Sequence, residues 1–222
     1  MRYLLLCLFL WAFCAAQAQD APRFRWGGLG YTYAGLGYTQ FSDLAVSTSA
    51  NGFSFGGGGF LLLGQRWILM GQGHGTLPST KRTANQEISY TYGGGGFNLG
   101  YALYNAKHWL AFPSVGLGGS AAILTMKNEG SIPLSFGDQI VARGMKRDFE
   151  LPATYLDFNF NIHRLLPIGE GLGGFSLGLT AGYMLGLSRE NWQGVADLPT
   201  SSIRQFYVRI CLGGGGFVAV SP

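Results

Sequence analysis

Cysteine, histidine and charge are all scarce in this chain, and each shortage excludes something. Its cysteines are Cys7, Cys14 and Cys211, and the first two fall in an N-terminal apolar run. A small secreted scaffold held by disulfides needs paired cysteines along its fold, so that class is excluded. The histidines, His74, His108 and His163, are too scattered to give metal-ligand spacing. Charged residues make up 12% of the chain, against about 25% in ordinary soluble domains. The net charge of +4 is mild and spread out, which argues against nucleic acid as a partner. A phosphate-cradling loop is also missing. The motif GGGGF occurs at 56–60, 93–97 and 213–217, but no Lys-Ser/Thr follows it and none opens a helix, so no nucleotide or other cofactor is implied.

What is abundant is glycine, with 37 residues. The glycines are interleaved with large apolar side chains rather than with Ser, Gln or Pro, so low-complexity disorder is not the reading. Residues 1–18 form a separate unit: Arg2 supplies a positive start, 4–13 an apolar core, and Ala16-Gln17-Ala18 a small-x-small site. This predicts a Sec-type signal peptide cut before Gln19, leaving one domain over 19–222.

The mature chain reads as strands. In 173–188, odd positions are Phe175, Leu177, Leu179, Ala181, Tyr183, Leu185 and Leu187, while even positions are nearly all small. A strict period of two marks a strand with one apolar face. Corresponding segments lie at 26–41, 53–63, 67–77, 87–104, 109–126, 151–164 and 203–220, giving eight. In 151–164, Leu156, Phe158, Phe160 and Ile162 alternate with Tyr155, Asp157, Asn159, Asn161 and His163. In 203–220, Phe206, Val208, Ile210 and Leu212 oppose Gln205, Tyr207, Arg209 and Cys211. The second, third and fourth strands are ambiguous, because a glycine run can hide a bulge that flips the face.

Only Asp157 and Arg209 among the charged residues fall well inside an expected strand. A soluble antiparallel sheet carries charge along its wet face, so the strands point to lipid. Connections alternate between longer polar loops and short turns, as in an up-and-down barrel. The expectation is an all-β, eight-stranded, antiparallel, transmembrane β-barrel, with the termini and short turns periplasmic and the longer loops outside. A transmembrane helix over 109–126 is the competing reading of an 18-residue charge-free stretch, against which Pro113 and its glycines speak. A soluble secreted β-protein is the other.

Candidate site residues follow from the alternation. Asp157, Asn159, Asn161 and His163 share one face, as do Gln205, Tyr207 and Arg209. Charge in a low-dielectric interior is costly unless paired. These seven residues are therefore expected to form a lumenal polar cluster in which Asp157 and Arg209 pair, directly or through Tyr207 and the asparagines. No catalytic, cofactor or metal residues are expected. An enzyme that modifies lipid A would have to rely on His74, with Thr76, Ser79 and Glu87 near it in sequence. Trp26, Tyr31, Tyr33, Tyr38, Trp67, Tyr90, Tyr92, Tyr101, Tyr104, Trp109, Tyr155, Tyr183 and Trp192 are expected at the membrane interfaces.

At the level of this pattern, residues 26–220 resemble the small outer-membrane barrels of the OmpA/OmpX type, including the outer membrane protein beta-barrel domain group. The residues Gly214-Gly215-Gly216-Phe217-Val218-Ala219 match in part the terminal Gly-x-x-aromatic-x-aromatic signal of such families. The resemblance implies residence in the bacterial outer membrane and contact with its lipid and lipopolysaccharide. It also implies insertion by the outer-membrane assembly machinery. The expected function is structural or surface-interacting, through the loops 127–150 and 189–202 of a barrel with a filled lumen. The alternatives are an accessory component of a secretion or surface-assembly system with a protein partner, and a lipid A-modifying barrel enzyme.

Overall fold

The computed structural model describes residues 23–41, 49–82, 85–106, 108–130, 134–136, 139–168, 173–187, 190–193 and 202–220. The expected signal peptide lies outside these residues, as do parts of the connections 42–52 and 189–202. Twelve strands follow in order: β1 (Arg23–Phe41), β2 (Ser49–Leu63), β3 (Trp67–Thr76), β4 (Ser79–Arg82), β5 (Gln86–Tyr101), β6 (Tyr104–Ala106), β7 (Trp109–Asn128), β8 (Leu134–Phe136), β9 (Gln139–Val141), β10 (Lys146–Pro167), β11 (Gly173–Gly186) and β12 (Ile203–Val220).

Eight of them are staves of a closed wall. The antiparallel ladder runs β1–β2–β3–β5–β7–β10–β11–β12, and β12 returns to β1. Closure leaves no sheet edge, which is what hydrocarbon demands of a spanning β-structure. Trp109–Asn128 is accordingly a strand, not a helix. Following paired residues from Gly27 through Leu62, Ile68, Gly100, Ser114, Asn159, Gly182 and Tyr207 brings the ladder back to β1 at Gly37, a stagger of ten residues. At ~3.3 Å per residue along a strand and ~4.8 Å between strands, that stagger inclines the staves by about 40° to the barrel axis.

Two sequence expectations change. The region 127–150, expected to be irregular, is largely a ribbon: β7 runs to Asn128, β10 starts at Lys146, and the small hairpin β8–β9 lies between them. Lys127, Lys146, Arg147 and Asp148 sit on this ribbon with their side chains exposed, so the charges are solvated and compatible with strand pairing. The fourth stave ends at Tyr101, and β6 continues the pairing with β7 from Tyr104.

The glycine runs hide no bulge. Pairing is continuous through Gly56–Gly59 and Gly93–Gly96, and the one register shift among the named stave pairings falls between Phe24 and Trp26. Even-numbered residues of β2 and β3 therefore face inward throughout, from Ser54 to Leu62 and from Ile68 to Thr76. Phe60 and Phe217 point in while Phe97 points out, so the GGGGF repeats do not share one role.

The inward glycines have a definite use. The Tyr33 ring lies on Gly56, Tyr155 on Gly118, Tyr207 on Gly182 and His163 on Gly178. In each case the ring rests on the residue directly opposite it in the neighbouring stave. A Cβ on Gly182 would stand 2.4 Å from the Tyr207 ring, and one on Gly178 2.5 Å from the His163 ring. Aromatic rings placed over glycine are a recognised way to pin strand register. Several tyrosines placed by sequence at the membrane interface are consequently inside: Tyr31, Tyr33, Tyr90, Tyr92 and Tyr155 are buried, as is Trp192. Amphipathic rings suit a headgroup boundary, but they suit a glycine-walled interior equally well.

Inward side chains form layers along the axis. Leu29, Phe60, Leu62, Ile68, Leu110 and Phe112 pack together toward the end that carries the β2–β3 turn. Tyr92, Leu124, Met126, Phe149, Leu151 and Trp192 pack toward the opposite, loop-bearing end. The polar residues lie between these layers.

Candidate functional site

The polar layer is built chiefly by β10 and β12, whose alternation turns Asp157, Asn159, Asn161, Tyr207 and Arg209 inward. Asp157 is 1% exposed and accepts four hydrogen bonds. Gln72 Nε2 donates at 2.6 Å, Asn98 Nδ2 at 2.9 Å, Asn159 Nδ2 at 2.8 Å and Tyr207 Oη at 2.8 Å. Four donors replace the water that this carboxylate gives up, and only such a shell makes a buried charge tolerable.

Arg209, also 1% exposed, is held differently. Its guanidinium lies between two rings, 3.8 Å from the Tyr207 centroid and 4.5 Å from that of Tyr33. Nη1 donates to Gln72 Oε1 and Nε to Ser54 Oγ, each at a long 3.4 Å. Cation–π contact strengthens when the pair is shielded from water. No direct ion pair joins Arg209 to Asp157. Gln72 bridges them, with its nitrogen on the carboxylate and its oxygen toward the guanidinium, and Tyr207 does so with its ring on one and its hydroxyl on the other.

The network continues toward the turn end. Ser114 Oγ and Asn161 Nδ2 both donate to Asn159 Oδ1, and Thr180 Oγ1 donates to Asn161 Oδ1 at 2.8 Å. Five of the seven residues singled out from sequence thus meet in one network. Gln205 stands apart, donating to Thr39 at 3.1 Å. His163 lies in the apolar layer beside Phe60 and Phe112, with Nδ1 3.2 Å from Ser176 Oγ. Gln72, Asn98, Ser114, Ser54 and Thr180 were not singled out. Thr180 sits on the small face already read in its strand, whereas the strands of Gln72, Asn98 and Ser54 showed only a polar residue within a glycine-rich stretch.

His74 faces inward and stacks on Tyr92, with ring centroids 5.2 Å apart. Thr76 bonds the Tyr92 backbone, and Glu87 pairs with Arg82 at 2.9 Å, so the side chains near His74 in sequence do not converge on it. Among the described residues no three His, Cys, Asp or Glu side chains come together as a metal site.

The outer wall completes the picture. Leu36 (70% exposed), Phe97 (75%), Phe175 (64%) and Leu212 (60%) belong to a belt of bare apolar side chains running around all eight staves. A water-soluble monomer does not expose so large a contiguous apolar surface. Trp26, Trp67 and Trp109 stand at the turn-end margin of this belt, with Arg66 over Tyr101 and Arg164 over Trp109. Aromatic–cation margins mark the headgroup level.

A closed eight-stranded barrel with an apolar outer belt and a polar layer within defines the class: a small, up-and-down, membrane-spanning β-barrel of the outer-membrane kind. Neither a protein-family model nor a curated protein sequence matches the chain. Among solved structures it is similar to Ail, the attachment invasion locus protein of Yersinia pestis, at 10% identity over 88% of this chain and 99% of that one, with a TM-score of 0.48. It is likewise similar to Neisserial surface protein A, at 12% identity over 85% and 97% of the two chains, TM-score 0.47. A third is the outer membrane protein OprG from Pseudomonas aeruginosa, at 8% identity over 90% and 98%, TM-score 0.47. These likenesses are distant and carry over no ligand or activity.

Proposed function

We propose that this protein resides in the bacterial outer membrane as a sealed barrel whose work is done at its loop end, as a structural or surface-interaction protein. The observation that carries this reading is the layered interior: an apolar layer, the Asp157 network and a second apolar layer succeed one another along the axis. An eight-stranded wall leaves an interior that side chains just fill, and a carboxylate satisfied by four protein donors offers little to a passing ion. The lumen is therefore a plug and not a channel. In this reading the β2–β3 turn and both termini face the periplasm.

The loop end offers the surface. The β7–β10 ribbon carries Lys127, Lys146, Arg147, Asp148 and Glu150, with Ile140 and Met145 exposed near its tip. Apolar side chains set among charges suit a protein partner better than bare lipid.

Three measurements test the proposal. Purified protein in planar bilayers is expected to give no steady conductance, and reproducible ohmic steps would refute the sealed lumen. In cells, the protein is expected in the outer-membrane fraction, migrating differently on SDS gels boiled and unboiled. Shortening the ribbon tip between Gly130 and Met145 should abolish co-purification of a surface partner without changing that gel shift. Recovery in the soluble fraction would end the membrane reading.

A further inference from the structure

The outer wall carries an apolar groove of about 700 Å³, and its shape follows from the sequence. Its low points are Pro113 on β7 and Ala181 on β11, one on each side of Phe160 on β10, with which both are paired. Leu99 on β5 stands beside the Pro113 part of the groove, and Phe158 and Phe160 on β10 stand as ridges between the β7 and β11 parts. The ladder also opens here. The β5–β7 pairing ends at Gly100–Ser114 and resumes only with Tyr104–Ala111 on β6, so Phe112 and Pro113 face the interruption. Proline has no N–H to give a ladder, so an interruption is where a mid-sheet proline belongs.

The groove is apolar along its length, but its foot is not. Trp67 and Tyr101 meet edge to face there at 5.4 Å. Arg66 is fixed beside them, donating from Nη1 to Tyr101 Oη at 2.6 Å with its guanidinium 5.7 Å from the ring centroid. A cation anchored at the headgroup margin, with an apolar trough leading from it into the belt, has the two-part chemistry of a glycerophospholipid. We propose that the groove seats one acyl chain of a phospholipid from the turn-end leaflet, with its phosphate held by Arg66. The trough lies within the belt, out of reach of a water-soluble protein. The anchored cation selects a phosphate-bearing lipid over a second copy of the chain, whose belt carries no anion. This inference rests on the membrane placement and orientation proposed above.

The test is native mass spectrometry on detergent-purified, delipidated protein titrated with dioleoylphosphatidylglycerol or with dioleoylglycerol, which lacks the phosphate. Folding of every variant is checked by the boiled and unboiled gel shift. Wild type is expected to retain one phosphatidylglycerol more firmly than the rest. Ala181→Phe, which fills the groove on the β11 side of Phe160, should weaken retention of both lipids. Ala181→Leu serves if the larger ring prevents folding. Arg66→Gln should weaken phosphatidylglycerol by roughly ten-fold, the size of one lost charge-assisted contact, and leave dioleoylglycerol unchanged. Ala34→Phe, on the outward face of β1 away from the groove, is the control and should change nothing.

Equal retention by wild type, Ala181→Phe and Arg66→Gln overturns the site, as does an Ala34→Phe effect as large as that of Ala181→Phe. A lipid-free dimer dispersed by Ala181→Phe would overturn it in favour of a second copy. Protease access to the β2–β3 turn in intact cells is read separately. Cleavage there would defeat the orientation, whereas lost lipid specificity in a correctly placed barrel defeats only the groove.

Discussion

Replacing Asp157 by Ala removes the acceptor around which the polar layer is arranged. Four donors, on Gln72, Asn98, Asn159 and Tyr207, lose their partner at once. A buried donor left unmade costs about 1–3 kcal/mol. Part of this is recovered, because Gln72 and Tyr207 already touch Arg209 and can turn toward one another. Arg209 then remains as a buried cation without its counter-charge, and breaking one side of such a pair costs about 3–5 kcal/mol. The two estimates describe the same loss from its two ends, so the expected destabilisation is about 4 kcal/mol and not their sum. The assay is urea unfolding in lipid vesicles followed by tryptophan emission and by the gel shift. The double variant Asp157→Ala, Arg209→Met should be less damaged than the separate effects predict, with a coupling of at least about 1 kcal/mol. A single variant within about 1 kcal/mol of wild type, or strict additivity in the double, would refute the account of Asp157 and Arg209 as one bridged unit.

Other expectations are briefer. Gly182→Leu drives a side chain into the Tyr207 ring and should lower the urea midpoint and the folded yield. Gly119→Ala, where a Cβ meets nothing within 4 Å, should leave both unchanged. In single-tryptophan variants, brominated lipid should quench Trp67, which is 53% exposed on the belt, and spare Trp192, 2% exposed within the barrel; equal quenching would contradict the assigned faces. At the loop end, Lys127 Nζ donates to Glu129 Oε1 at 2.8 Å, holding that carboxyl below the ordinary glutamate range. A depressed folded value means the contact persists above the ordinary range and is lost as pH falls through the lowered one. NMR titration should therefore find Glu129 titrating lower in wild type than in Lys127→Met, and an unchanged midpoint would refute the pairing.

The wall was legible because hydrocarbon imposes two independent signatures. Charge leaves the strands, and side chains alternate: Phe158 and Phe160 out against Asp157 and Asn159 in could be read from the chain. The partners of Asp157 could not. Gln72 and Asn98 lie 85 and 59 residues away, Gln72 on a stave whose outward face beside it is glycine and Asn98 beside a run with glycine on both faces, so apolar alternation did not assign them inward. Only the closed register shows that they face the carboxylate. The sorting of tyrosines failed for a different reason, since nothing local tells a ring bound for a headgroup from one bound for a glycine opposite.

Those rings on glycine also bear on how the barrel is put together. Each of Tyr33, Tyr155, Tyr207 and His163 rests on the single residue paired with it across the ladder. A slip of two residues keeps every side chain on its proper face and so escapes the penalty that guards against a slip of one. It would, however, bring Tyr207 against Thr180 or Met184, and His163 against Ser176 or Thr180. The Tyr207 and His163 contacts thus act as teeth that mesh in one alignment and disfavour a mis-set stave, whereas Tyr33 and Tyr155 would meet another glycine, Gly58 or Gly116, after a slip in one direction.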